Sequence, residues 1–291
     1  MDRLDASRVT AGETLLSSLP DVMPEHASPR IQSLYDSIQK TLRVPFTNFF
    51  FRVLANWPDE LEAVWHAMAP GIGTYEFEQV ADELRKVAVP DMPIQSAEKD
   101  WSRLGALEEI QAFTDSIHYV LPKLVLITTS FDLGLVPSGK RELPHVIASG
   151  THAVPMRNEQ DAPDEVKAVF EEIRALHGHP DVASYYRGIG QWPGFLTEIW
   201  PEVKVHIESE AYQAHKDDIL DFAQQAIEQR LAPQPLDVSI NGTMPDQIRN
   251  VAALFRYRFT VDLLLDVGLI QCLLKGRQAA GRSRFSLLNN L

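Results

Sequence analysis

Two histidines separated by one residue, His177 and His179, stand beside Pro180, and with a carboxylate such as Asp181 or Glu198 they could seed a metal site. Residues two apart share a face only on a strand, and this segment has the composition of a helix-flanking turn, so no metal is expected here. Arg52 and Arg187 each offer a planar fork that can hold a carboxylate through paired hydrogen bonds; pairing with nearby acids is the competing structural role. The one cysteine, Cys272, cannot close an internal disulfide, and its apolar surroundings, LLLDVGLIQCLL, suit an inert buried thiol rather than a nucleophile. Pro122 interrupts the apolar run Leu107–Phe131. It cannot donate the helical hydrogen bond, so the carbonyl of His118 needs a side chain, water or ligand, and a kink is expected. No Gly-rich phosphate loop follows a strand, and neither Gly-x-Ser-x-Gly nor Cys-x-x-Cys occurs. Nucleotide cofactors, serine hydrolysis and structural zinc are therefore unsupported, and no cofactor is expected.

The elements that must position these groups read as helices. Ile31, Leu34, Tyr35 and Ile38 follow the i, i+3, i+4, i+7 stripe, with Ser28 as cap and Pro29 in the first turn. Phe46, Phe49, Phe50 and Val53 form a second stripe between Pro45 and Pro58, and Val182, Tyr185, Tyr186 and Ile189 form its like between Pro180 and Pro193. Helices are expected to continue through Asp59–Met68, Tyr75–Val89, Leu107–Phe131, Phe195–Ala211, Tyr212–Leu231 and Pro245–Leu274. No hairpin signal or sustained strand alternation is present.

Much of the pattern occurs twice, with a shift of about 135 residues. Ile31, Tyr35 and Ile38 map to Val166, Phe170 and Ile173, Pro45 to Pro180, Arg52 to Arg187, Trp57-Pro58 to Trp192-Pro193, and Trp65 to Trp200. With about three residues inserted around Leu231–Ile240, Ile110, Ile117 and Tyr119 align with Ile248, Phe255 and Tyr257. The expected fold is all-α, two pseudo-symmetric helical repeats packed as an intramolecular pseudo-dimer: an N-terminal extension over 1–27, repeat 1 over 28–135, a linker over 136–161, repeat 2 over 162–277 and a tail over 278–291. The four repeated tryptophans are read as core anchors.

A net charge of −13 repels phosphate backbones, and only Arg277, Arg282 and Arg284 break the acidic background, so nucleic acid is excluded as a partner. No apolar run approaches the ~20 residues of a membrane span, and Met1–Pro20 lacks a signal-like hydrophobic stretch, so a cytoplasmic protein is expected. Pairing as a homodimer is left open.

The segments LRVPFTNFFFRVLANWP (42–58), VASYYRGIGQWP (182–193) and HYVLPKLVLIT (118–128) resemble the motifs of the group I 2-haloacid dehalogenases, a likeness that runs from about Ser28 to about Arg277. That family is all-helical, duplicated within one chain, and places its site between the repeats. Its members hydrolyse short 2-halocarboxylic acids with inversion, through an aspartate that activates water. The resemblance places that aspartate where this chain has Tyr185, and a water-holding asparagine where it has Leu121. A phenol with pKa near ~10 is a poor base at neutral pH, and Leu121 has no polar atom, so hydrolytic dehalogenation is expected to be lost or slow. Phe46 and Phe49 match aromatic wall positions, and Ser184 matches a serine beside the aspartate. Tyr185 and His118, the latter at a position that usually bears an amide, are the candidate catalytic groups, a hydroxyl for an oxyanion and an imidazole for proton exchange. Phe46, Phe49, Leu121, Ser184, Tyr186 and Arg187 form the candidate substrate-binding set. The expected function is a diverged dehalogenase-like enzyme acting on a small organic acid; the alternative is a binding or regulatory protein on the same fold.

Overall fold

The computed structural model describes residues 3–91, 101–104, 106–236 and 245–290, so part of the insertion expected around Leu231–Ile240 lies outside the described residues. The fold is all-α. Helices α1 (Arg3–Leu16), α2 (Pro29–Leu42), α3 (Phe49–Leu54), α4 (Pro58–Ile72), α5 (Tyr75–Val87) and α6 (Leu107–Leu133) precede an irregular stretch. After it come α7 (Asp164–His177), α8 (Ser184–Ile189), α9 (Pro193–Ile207), α10 (Glu210–Gln225), α11 (Asp246–Leu254), α12 (Val261–Lys275) and α13 (Arg277–Ala280). One departure from the helical reading is a two-residue antiparallel pairing of Leu135–Val136 with Gln234–Pro235.

Local sequence explains most boundaries. Ser28 accepts from the Ile31 amide at the start of α2, whose buried face carries Ile31, Leu34, Tyr35 and Ile38. Thr74 and Ser209 cap α5 and α10 in the same way. Helices α2, α3, α4 and α5 begin at Pro29, Phe49, Pro58 and Tyr75; α7, α8, α9 and α10 begin at Asp164, Ser184, Pro193 and Glu210. Trp65 and Trp200 are fully buried, and their indole nitrogens donate to Ser37 at 3.0 Å and Glu172 at 2.8 Å. Trp57 and Trp192 pack at the margin of the core, half-buried.

The segment expected as one helix over Pro245–Leu274 is broken in its middle by a π turn, Phe255–Thr260, between α11 and α12. Hydrophobic periodicity cannot distinguish one wide turn from an α turn. Thr260 Oγ1 donates to the Phe255 carbonyl at 2.8 Å and lies 3.3 Å from Thr128 Oγ1 on α6, which fastens the turn to that helix. Arg256 adds an ion pair to buried Asp132 at 2.7 Å, and Arg8 on α1 reaches the same carboxylate at 2.6 Å.

Helix α6 runs through the centre, with every residue from Ser116 to Asp132 buried. It continues across Pro122. Arg85 on α5 supplies the partner that Pro122 makes necessary: its Nε donates to the His118 carbonyl at 3.3 Å and its Nη2 to the Tyr119 carbonyl at 2.9 Å. Arg85→Met strands both carbonyls in a site that is 1% exposed. The expected loss is about 3 kcal/mol in urea unfolding, with Arg85→Lys intermediate because an ammonium cannot span both acceptors.

A second buried ion pair joins the same helices, with Lys123 Nζ 2.6 Å from Glu78 Oε2 and 2.8 Å from the Tyr119 hydroxyl. Burial pushes the Glu78 carboxyl up, but Lys123, Arg85 and the Tyr119 hydrogen bond outweigh it and hold the group below its usual 4.5. A depressed carboxyl stabilises the fold fully above its unfolded value and loses that contribution as pH falls through the folded one. Stability is therefore expected to drop below about pH 4.5, and Glu78→Gln, which leaves Lys123 buried without its counter-ion, to cost about 3–5 kcal/mol at neutral pH. Urea unfolding at pH 7, 5 and 3.5 measures both, and the variant should show the shallower acid slope.

Candidate active site

An outer cleft of about 480 Å³ and an inner cavity of about 50 Å³ share three lining residues, Asn48, Ile117 and Ser184. These mark the neck between them. The inner cavity is walled by Phe49 and Phe50 of α3, Leu121 and Leu124 of α6, Tyr185 of α8, Phe255, Phe259 and Thr260 of the π turn, and Leu263 of α12. The first half of the chain supplies one wall and the second half the other. Phe49 meets Phe255 and Phe259 edge-on at centroid distances of 5.3 and 5.8 Å, which rigidifies the seam. Among the described residues no carboxylate lines the inner cavity, and the one acid at the outer cleft is exposed Glu25.

Asn48 stands at the N-cap of α3, yet its side chain makes no capping bond, and its buried Oδ1 has no hydrogen-bond partner. An amide relieved of capping is available to a ligand at the neck. Sequence reasoning missed it; the signal was the lone amide in the run PFTNFFF. Arg52, one turn on, is 3% exposed and organises the outer cleft. Its Nε and Nη2 grip Asp21 at 2.6 and 3.0 Å, Nη1 donates to the Thr47 carbonyl at 2.6 Å, and Nη2 also donates to Ser184 Oγ at 3.0 Å. Because Ser184 Oγ accepts from Arg52, its own O–H is left to donate toward the neck.

Tyr185 lines the inner cavity, but its hydroxyl lies 3.1 Å from Thr114 Oγ1 on α6, a residue outside the cavity wall. Its ring stacks on Phe113 at 5.7 Å, and Gly188 makes that approach feasible, since a Cβ there would sit 2.6 Å from the Phe113 ring. Burial raises the phenol above its usual 10, so it remains protonated at neutral pH. Leu121 and Phe49 also line the inner cavity; Phe46 lines the outer cleft.

Three of the expected residues lie elsewhere. His118 lines a separate cleft with Asp115, Gln271, Lys275 and Arg284, and burial and Arg85 depress its pKa well below 6.5, so its imidazole is neutral and does not meet Tyr185. On a helix buried all round, sequence could not fix which side His118 takes. Tyr186 points away from the cavity and donates to Asp266 Oδ2 at 2.7 Å. Arg187 sits beside Arg157 and Asp21 without lining either space, its Nε donating to the Arg157 carbonyl at 3.4 Å. The carboxylate-holding role offered to the arginine pair is therefore open to Arg52 alone at the cleft. Cys272 is buried, its thiol pushed up to about 11 by burial.

Residues 45–186 match the family model described as "Halocarboxylic acid dehydrogenase DehI". A "2-haloacid dehalogenase, configuration-inverting" of Alcaligenes xylosoxydans xylosoxydans is 25% identical, over 92% of this chain and 98% of its own. An "(R)-2-haloacid dehalogenase" of Pseudomonas putida is 23% identical, over 84% of this chain and 89% of its own. A solved D-2-haloacid dehalogenase in complex with L-LA superposes with a TM-score of 0.74 at 20% identity, over 88% of this chain and 96% of that one, and so shares the fold. No helix among the described residues is long and apolar enough to cross a membrane. The family model and the curated relatives show that this chain is similar to 2-haloacid dehalogenases.

Proposed function

We propose that this chain is an enzyme of the 2-haloacid dehalogenase type, acting on a small organic acid at the neck between cleft and cavity, with the family's hydrolytic mechanism lost. The cavity wall carries the proposal: Tyr185 stands at the aspartate's place, its hydroxyl is committed to Thr114, and no described carboxylate is present to activate water. A volume of about 50 Å³ exceeds the ~10–15 Å³ that one water needs and suits a methyl- or chlorine-sized group. Asn48 and Ser184 at the neck, with Arg52 behind them, suit the acid's polar head.

We further read α2–α5 and α7–α10 as duplicates that close around this site as a pseudo-dimer. The common shift in helix starts supports it, as do the left-handed residues Arg43 and Gly178 that end α2 and α7 at φ 68° and 64°.

The test is chloride release from both enantiomers of 2-chloropropionate. The expected result is no turnover above background, together with saturable binding that weakens by about tenfold in Ser184→Ala. Chloride release that depends on Ser184 would contradict the proposal. A second reading, a binding protein without chemistry, is favoured by the same lack of a base; it fails if any organic acid is turned over in a Ser184-dependent way.

A further inference from the structure

Behind the cavity wall lies a buried polar cluster that the proposed chemistry does not use. His177 is the last residue of α7, and the left-handed turn at Gly178 folds the chain so that His179 stacks on it, ring centroids 4.8 Å apart and planes at 16°. The expectation that two residues of a turn would diverge fails for this reason. Both rings turn a nitrogen toward one oxygen of Asp262 on α12: His179 Nε2 at 2.9 Å and His177 Nδ1 at 3.7 Å, the second too long for a hydrogen bond. These three ligand atoms all lie within 4.8 Å of one another.

We infer that His177 Nδ1, His179 Nε2 and Asp262 Oδ2 form a binding site for a divalent transition-metal ion, zinc being the representative probe. Two imidazoles and one carboxylate are a donor set of that class. Tetrahedral coordination with bonds of about 2.0–2.1 Å brings ligand atoms to roughly 3.3 Å, so atoms that now lie within 4.8 Å of one another must adjust on binding.

Two further observations point the same way. His177 Nε2 is held at 2.8 Å by Asp266 Oδ2, the outer carboxylate that orients a metal-bound imidazole and leaves Nδ1 to the ion. Nδ1 of His179 is buried without a partner, so it can take the ring proton when Nε2 binds, at the cost of no hydrogen bond but that to Asp262. Charge also favours a cation. Asp262 and Asp266 are 2% and 1% exposed, and among the described residues only Lys216, 2.5 Å from Asp262 Oδ1, brings a fixed positive charge, which leaves Asp262 Oδ2 for the ion. The Phe259 ring packs on His179 at 4.3 Å and separates it from the inner cavity, so the ion would brace the cavity wall rather than touch substrate.

The test uses the full chain, stripped with a chelator and confirmed folded by circular dichroism. Zinc is titrated against a chromophoric chelator. One equivalent per chain is expected, with a raised Tm. His177→Gln, His179→Gln and Asp262→Asn should each lower affinity by more than ~10²-fold, and Asp266→Asn by ~10–100-fold. Zinc-edge X-ray absorption on the unmodified chain decides the matter should a variant fail to fold: scattering from two imidazoles is expected. Absence of stoichiometric zinc, imidazole-free scattering, or full affinity in folded His179→Gln would each overturn the inference.

Discussion

The double variant Tyr185→Asp, Leu121→Asn is expected to release chloride from 2-chloropropionate at least ~10²-fold faster than the unmodified chain, the scale of a positioned general base. Position 185 lines the inner cavity and position 121 lies in the same wall, so a carboxylate and an amide would both face the space that a halogen-bearing carbon can occupy. At those two positions the unmodified chain offers only the ring face of Tyr185, the isobutyl group of Leu121 and a phenol oxygen turned to Thr114. The gain should be pH-dependent. A carboxyl introduced among Phe49, Phe255 and Phe259 is desolvated and has a raised pKa, so activity should grow as pH rises through that value. The exchange also removes the stacking on Phe113 and opens a void, at about 3–5 kcal/mol, so unfolding must be measured on the same preparation. Tyr185→Ala is the control; it opens the same space without a base and should show no gain.

Arg52→Met is expected to abolish binding of 2-chloropropionate and to destabilise the chain by about 3 kcal/mol. The guanidinium is nearly inaccessible, bridges Asp21 to the Thr47 carbonyl, and fixes the Ser184 hydroxyl from the other half of the chain. Removing it leaves a carboxylate and a carbonyl short of donors. Arg52→Lys separates structure from recognition. An ammonium can still pair with Asp21 but cannot also orient Ser184, so most stability should return while ligand affinity stays at least tenfold down. Equal recovery of both would place Arg52 in a purely structural role.

The all-helical class was legible because the apolar stripes of α2, α3 and α8 are clean and bounded by proline and capping residues. The demand for a partner at the His118 carbonyl was also legible from Pro122 alone; that Arg85 meets it was not, because the two residues are brought together only by packing of α5 on α6. Ser184, Tyr185, Leu121 and Phe49 were named from the resemblance, and all four line one cavity. His118 was misplaced because a helix apolar on every side gives no facing signal. The stacking of His177 on His179 depends on one left-handed residue, Gly178, and the π turn at Phe255–Thr260 on a single widened turn, features too local for periodicity to register. Asn48 was overlooked because the expected stripe began at Phe46 and ran past it, whereas α3 begins at Phe49 and leaves Asn48 at the N-cap with no cap bond made.

A crystal structure after soaking with racemic 2-chloropropionate bears most directly on the site and its chemistry together. Intact ligand is expected, with its methyl or chlorine among Phe49, Phe255 and Phe259 and its carboxylate at the neck beside Asn48 and Ser184. Density for the 2-hydroxy acid in that cavity, or ligand seated instead in the His118 cleft, would contradict it.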